Sequence, residues 1–172
     1  MIGLKRGTVK LKLNHKEWEK LFEFEKKYLI SKFKDYPIIV EHVGATSIYG
    51  VSAKPIIDMM IGMSPNLSIK YVYNKLIELG YEDRGRGGVS GQRLFVKGPE
   101  EKRTHYLHIT RNNSDYWREH IIFRDYLRKH KIDREAYSNL KKKLAKKFSD
   151  NRAEYTKSKG KFINNIIMRA TK

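Results

Sequence analysis

The reading of this chain turns on Glu41-His42-Val43-Gly44-Ala45-Thr46-Ser47-Ile48-Tyr49-Gly50-Val51-Ser52-Ala53-Lys54-Pro55-Ile56-Ile57-Asp58. An apolar run from Pro37 to Val43 predicts a strand that ends at Gly44, and Pro55 to Met63 predicts a second. The segment between them is built of small and hydroxyl residues. Gly44 lets the backbone approach a ligand closely, and Thr46 with Ser47 can open a helical turn whose N–H groups suit a phosphate. Lys54 would neutralise phosphate charge, and Asp58 would hold a divalent cation that bridges phosphate oxygens. A second reading of the same residues stands beside this one: Asp58, between Ile57 and Met59, pairs with an arginine. The pattern is not a Walker loop, since Gly-x-x-x-x-Gly-Lys is absent. Gly85-Arg86-Gly87-Gly88 is not a dinucleotide fingerprint either, because no helical pattern follows it, and it reads as a loop.

Working outward, Asn14 caps a first helix, with Glu17 three residues later as in a capping box and Trp18, Leu21, Phe22, Tyr28, Leu29 and Phe33 at helical spacing. Pro65-Asn66 opens a second helix that Gly80 stops. Two further strands are expected near Gly91 to Lys97 and Thr104 to Thr110, joined by a turn at Gly98-Pro99-Glu100-Glu101. From Asn112 the chain reads as three helical pieces, carrying Trp117, Ile121 and Leu127; then Tyr137, Leu140, Leu144 and Phe148; then Tyr155, Phe162, Ile163, Ile166 and Ile167. The expected fold is α+β: a mixed β-sheet of four to five strands covered by helices, with a helical C-terminal segment. It forms a single domain over residues 1–172, with the sheet in 1–111 and the basic helices in 112–172.

At 172 residues the chain suits one core, and 40% hydrophobic residues suffice to build it. It has no cysteine, which excludes a disulfide scaffold, thiolate zinc and a cysteine nucleophile. No apolar run approaches a membrane span and the start lacks a signal-peptide core, so no membrane partner and a cytoplasmic location are expected. Thirty-seven Lys and Arg against 19 Asp and Glu give a net charge of +18, a field that attracts nucleotides or RNA.

These residues carry a resemblance to a family. Trp18 and Phe24-Glu25, then His42-Val43-Gly44-Ala45-Thr46-Ser47 and Ala53-Lys54-Pro55-Ile56-Ile57-Asp58, are similar to the GrpB-like family. The likeness continues through Arg103-Thr104-His105-Tyr106-Leu107-His108, Phe123-Arg124-Asp125-Tyr126-Leu127-Arg128 and Tyr155-Thr156-Lys157-Ser158-Lys159, and so spans nearly the whole chain. The family is classed among predicted nucleotidyltransferases of the polymerase-β-like fold. The resemblance implies a metal-dependent nucleotidyltransferase acting on a nucleoside triphosphate and an unknown acceptor. In that superfamily a Gly-[Gly/Ser] turn precedes a strand with two carboxylates at alternate positions, which share one face and chelate magnesium. Gly44 and Ala45 fall on the turn and Asp58 on the first carboxylate. The second falls on Met60, a departure that leaves open a degenerate module that binds a nucleotide or another phosphate-containing small molecule without chemistry.

Other residues are candidates to complete the site. Glu25 lies within the apolar stripe of the first helix, where a carboxylate must be paired, protonated or bound to metal. It is therefore a catalytic or metal-ligating candidate beside Asp58, with a structural pair to an Arg or His as the other reading. Strand parity puts His105 with Leu107 and Ile109, and His108 on the opposite face with Tyr106 and Thr110, which makes His108 the candidate ligand or acid/base group. Arg103 is a candidate phosphate contact, with an ordinary salt bridge as the equal alternative. Arg124 and Arg128, one turn apart, are candidates for a basic wall with Lys157 and Lys159. His15, His120 and His130 read as surface helix residues.

Overall fold

The computed structural model describes residues 2–34, Tyr36 and 38–172. Elements follow in the order α1 (His15–Lys32), β1 (Ile38–His42), β2 (Ile57–Met63), α2 (Ile69–Glu78), β3 (Glu82–Asp83), β4 (Arg93–Lys97), β5 (His105–Arg111), α3 (Asp115–Lys129), α4 (Lys131–Lys147), α5 (Arg152–Lys157) and α6 (Gly160–Ala170). Short 3-10 turns cover Ala45–Ser47 and Glu100–Lys102. Pro37, the expected start of the first strand, lies outside the described residues.

The five strands form one sheet in the order β1-β2-β5-β4-β3. The inner pair, β2 and β5, runs parallel in the register Asp58↔Tyr106 and Met60↔His108, and the other pairs are antiparallel. Its sequence shows why β2 is central: apart from half-buried Asp58, every residue from Ile57 to Met63 is buried, as expected of a strand covered on both faces.

Alternation divides the side chains of β2 between two layers. Ile57, Met59 and Ile61 join Leu107, Ile109 and Phe95 under α1 and α2, which contribute Trp18, Phe22, Leu29, Val72 and Leu76. This is the main core. Met60 points the other way and packs with Val43 and with Trp117 of α3. Gly62 shares that outer face, where a Cβ would stand 2.6 Å from Cζ3 of Trp117. A side chain at Gly62 would therefore lift α3 off the sheet.

The helical half does not stand apart from the sheet half. Ile48 and Val51, from the segment between β1 and β2, bury against Phe123, Leu127, Tyr137 and Ile166. The outer face of the sheet and the C-terminal helices thus enclose the space into which Asp58 points.

The predicted elements differ from the structure in four local details. Asn14 stands at the start of α1, but its side chain turns to Glu17 and caps no backbone N–H. Ser68 caps α2, accepting from the Tyr71 N–H, so this helix starts later than the Pro65-Asn66 signal suggests. The third C-terminal piece is two helices, broken between Lys157 and Gly160. Two-residue β3 is too short to leave a periodic signal.

Candidate functional site

Gly44, two residues beyond β1, has φ +66° and ψ −171°, a conformation essentially confined to glycine that costs other residues on the order of 1–3 kcal/mol. A Cβ there would lie 2.7 Å from Oδ2 of Asp58, so glycine is required both for the bend and for the close passage of the backbone over the carboxylate. Asp58 forms no ion pair within 4.0 Å among the described residues, and the arginine pairing is not what holds it. Instead it lines a cavity of about 360 Å³, together with Gly44, Lys54, Lys141, Arg152 and Lys159.

Those four cations come from three places. Lys54 sits in the pinned connection before β2, where Ala53 and Lys12 exchange backbone hydrogen bonds in both directions. Lys141 comes from α4, is buried, and donates to the Ser52 carbonyl. Arg152 and Lys159 come from α5 and from the residue before α6; the Arg152 guanidinium lies 4.5 Å from the Tyr106 ring centroid and bonds its hydroxyl. Lys159 Nζ is 4.6 Å from the Tyr155 centroid.

Crowding four like charges into a half-closed space has the expected effect. Burial, then Arg152, brings the Lys54 ammonium down to about 7, with Asp58 opposing. Burial, opposed by Asp58 and helped by Arg152, brings Lys159 to about 8. Lys141 is held well below its ordinary value by burial and by Lys159 and Lys54. An anion entering the cavity would reverse these effects by favouring the charged amines.

The opposite wall is aromatic. His108, on the same face as Asp58, is contacted at Nδ1 by the Tyr116 hydroxyl (3.0 Å) and by Gln92 Oε1 (3.3 Å). Burial brings His108 down to about 4, against the pull of Asp58. Tyr116 and His120 stand 4.2 Å apart, centroid to centroid, one helical turn apart on α3, and both line the cavity with Phe123. Burial and Asp58 raise the Tyr116 phenol.

Several sequence-predicted site residues lie elsewhere. Glu25 belongs to the opposite layer of the sheet, where its carboxylate accepts from the Tyr81 hydroxyl (2.7 Å) and from Lys97 Nζ (2.8 Å). A lysine and a tyrosine, rather than a metal or Asp58, answer its buried charge. Arg103 is buried against Glu82 and Glu100 and donates to the Gly98 carbonyl, away from the cavity. The Thr46 hydroxyl is 3.0 Å from His42 Nε2, and the Ser47 hydroxyl donates to the Gly44 carbonyl at 2.7 Å. Both hydroxyls brace the turn and neither lines the cavity, so Gly44 alone of that trio borders it. Arg124 binds Glu41, Asp125 and the His42 carbonyl, and Arg128 the Ser47 carbonyl. They fix α3 to the turn and do not form the basic wall; of their expected companions, Lys159 does line the cavity and Lys157 does not.

Sequence reasoning missed Lys141, Arg152, Tyr116 and His120. Lys141 carried a usable signal, because it stands four residues after Tyr137 inside the apolar stripe of its helix, the same anomaly that singled out Glu25. His120, expected at the surface, is half-buried because the cavity lies beneath α3. His15 is also half-buried, its ring nitrogens 3.2 and 3.1 Å from the Thr46 and Val51 carbonyls. Arg152 left no pattern.

The donors were tested against a divalent cation. Among the described residues no group of three His, Cys, Asp or Glu side chains could hold a metal ion. Met60, at the second carboxylate position, is fully buried. The residues present do not form a resident two-metal site.

The GrpB protein family model matches residues 8–169. Glutamate-rich protein GrpB of Alkalihalophilus pseudofirmus is 33% identical over 171 residues, 97% of this chain and 98% of that protein. The crystal structure of conserved protein GrpB from Enterococcus faecalis superposes with a TM-score of 0.83 at 34% identity, over 94% of this chain and 96% of that one. A Cid1 poly(U) polymerase structure aligns at TM-score 0.48 and 15% identity, over 78% of this chain and 41% of that one, a likeness that decides neither substrate nor reaction.

Proposed function

The chain belongs to the GrpB family, and we propose that its outer-face cavity binds a phosphate-bearing small molecule, with nucleoside triphosphates as the class to examine first. One observation carries this reading. Lys54, Lys141, Arg152 and Lys159 line a single cavity whose only acids among the described residues are Asp58 and Glu119. A guanidinium and ammonium groups suit phosphate oxygens through charge-assisted hydrogen bonds. The aromatic wall of Tyr116, His120 and Phe123 offers a flat apolar surface for the rest of such a molecule, and the volume lies in the range of small-molecule sites.

A second reading, nucleotidyl transfer, is favoured by one feature: Asp58 is free of any arginine and lies against Gly44, as the first carboxylate of that superfamily would. Binding without turnover is the better-supported function, because the donors for a two-metal site are not there.

Calorimetric titration with nucleoside triphosphates and inorganic triphosphate tests the proposal. Binding by the native chain, weakened at least tenfold by Arg152→Ala and further by rising salt, is the expected result. Equal heats for Arg152→Ala and the native chain, or none for either, would remove the cavity from consideration. Production of pyrophosphate in the presence of magnesium, abolished in Asp58→Asn, would establish the transferase reading instead.

A further inference from the structure

Lys54 and Lys159 differ from the other two cavity cations in that neither amine is tied to an acceptor among the described residues, and of these two Lys54 has the more firmly held backbone. Lys141 is tied to the Ser52 carbonyl and Arg152 to the Tyr106 hydroxyl. The Lys54 Nζ has no hydrogen-bond acceptor and no ion pair among the described residues. It stands 5.9 Å from the Tyr106 ring centroid and 6.0 Å from that of Tyr155. Facing it are Asp58 from β2, Lys141 from α4, Arg152 from α5 and Lys159 at the start of α6. Its backbone is fixed on both sides, by the Ala53–Lys12 bridge before it and by the Ile56 N–H bonded to its own carbonyl. A rigidly mounted amine, packed among cations and opening into a cavity, is the arrangement in which lysine acts as a nucleophile.

We propose that the Lys54 amine is a covalent modification site, which condenses with the carbonyl carbon of a small phosphorylated aldehyde or ketone. The inference rests on the phosphate-binding reading of the cavity. Arg152, Lys159 and Lys141 would hold the phosphate, leaving the carbonyl beside Nζ. The nitrogen lone pair attacks the carbonyl carbon and the C–O π bond breaks to give a carbinolamine. One nitrogen proton passes to the oxygen to make the carbinolamine hydroxyl, which then leaves as water with the second nitrogen proton, and a C=N bond remains. No oxidant, reductant or metal is required.

Pyridoxal 5′-phosphate is the probe. The native chain is incubated with it, reduced with borohydride, digested and mapped by mass spectrometry. One predominant adduct, at Lys54, is expected at pH 7, roughly a hundredfold above exposed lysines such as Lys142, because an ordinary ammonium is almost wholly protonated there. Labelling should rise with pH through the neutral range, because burial lowers the Lys54 amine while the bound phosphate opposes that effect. Inorganic triphosphate should protect Lys54, and pyridoxal, lacking the phosphate, should label it far less. Lys54→Arg should remove this adduct without creating another; should that variant not fold, the map of the native chain decides alone. Label spread over surface lysines, or placed on Lys159 with Lys54 unmodified, overturns the proposal. If triphosphate binds but Lys54 stays unmodified, the inference fails and the phosphate reading survives. If pyridoxal and its phosphate label Lys54 equally and triphosphate gives no protection, the phosphate reading fails, and the phosphorylated ligand with it.

Discussion

Replacing Glu25 separates a buried structural pair from a metal ligand. The carboxylate lies on the layer under α1 and accepts from the Tyr81 hydroxyl and Lys97 ammonium; its side chain is 5% exposed and that of Lys97 29%. Glu25→Ala leaves a buried phenolic O–H without an acceptor, which costs about 1–3 kcal/mol. It also strands the lysine, for which about 3–5 kcal/mol applies to a wholly buried pair. Lys97 reaches solvent, so that second contribution is reduced, and the sum is about 3 kcal/mol. Glu25→Gln keeps an acceptor for Tyr81 and should lose about half as much. Urea unfolding of the three proteins, extrapolated to water at pH 7.5, measures this, and calorimetry with inorganic triphosphate follows each folded variant. The expected order of stability is native, Gln, Ala, with triphosphate affinity unchanged in the glutamine variant. Native stability with lost binding in Glu25→Gln would refute the reasoning and return Glu25 to the site.

Other consequences follow from the same geometry. Gly44→Ala should cost on the order of 1–3 kcal/mol from its glycine-only backbone conformation and should also weaken triphosphate binding, since the new methyl group displaces Asp58; unfolding and calorimetry on one preparation read both. Stability should fall as pH drops from about 6.5 toward 4. Burial holds His42 at about 3 and His105 and His108 at about 4 in the folded chain, whereas in the unfolded chain they titrate near 6.5. Over that window the unfolded chain binds more protons, so the stabilisation is complete above about 6.5 and declines below it by at most about 1.4 kcal/mol per pH unit per histidine. His42→Gln should flatten the slope seen by urea unfolding at pH 7.5 and 5. Gly62→Ala should destabilise by about 1–3 kcal/mol through overpacking against Trp117, measured as a lowered urea midpoint.

Legibility differed between strands, turns and pockets for physical reasons. The apolar run of β2, interrupted by Asp58, and the parity of His105 and His108 along β5 are local properties, so both could be read from residue order. The stripe that singled out Glu25 was also legible, but a buried carboxylate demands a partner without naming it, and Lys97 is 72 positions away. The hydroxyls of Thr46 and Ser47 misled for a related reason. Side chains that suit a phosphate equally suit the turn's own carbonyl and a neighbouring histidine, and those partners are always at hand. Arg152 and Lys159 meet Lys54 only because helices from the end of the chain fold back over the sheet, a juxtaposition that spacing does not encode.

Met60 has a bearing on how this lineage can change. An acid installed there would enter an apolar wall formed with Val43 and Trp117, and a carboxyl group so placed would either stay protonated or, if ionised, loosen the helix resting on it. Installing a second acid therefore demands concerted remodelling of that wall, beginning with the indole. A single substitution at Met60 does not supply a usable second acid.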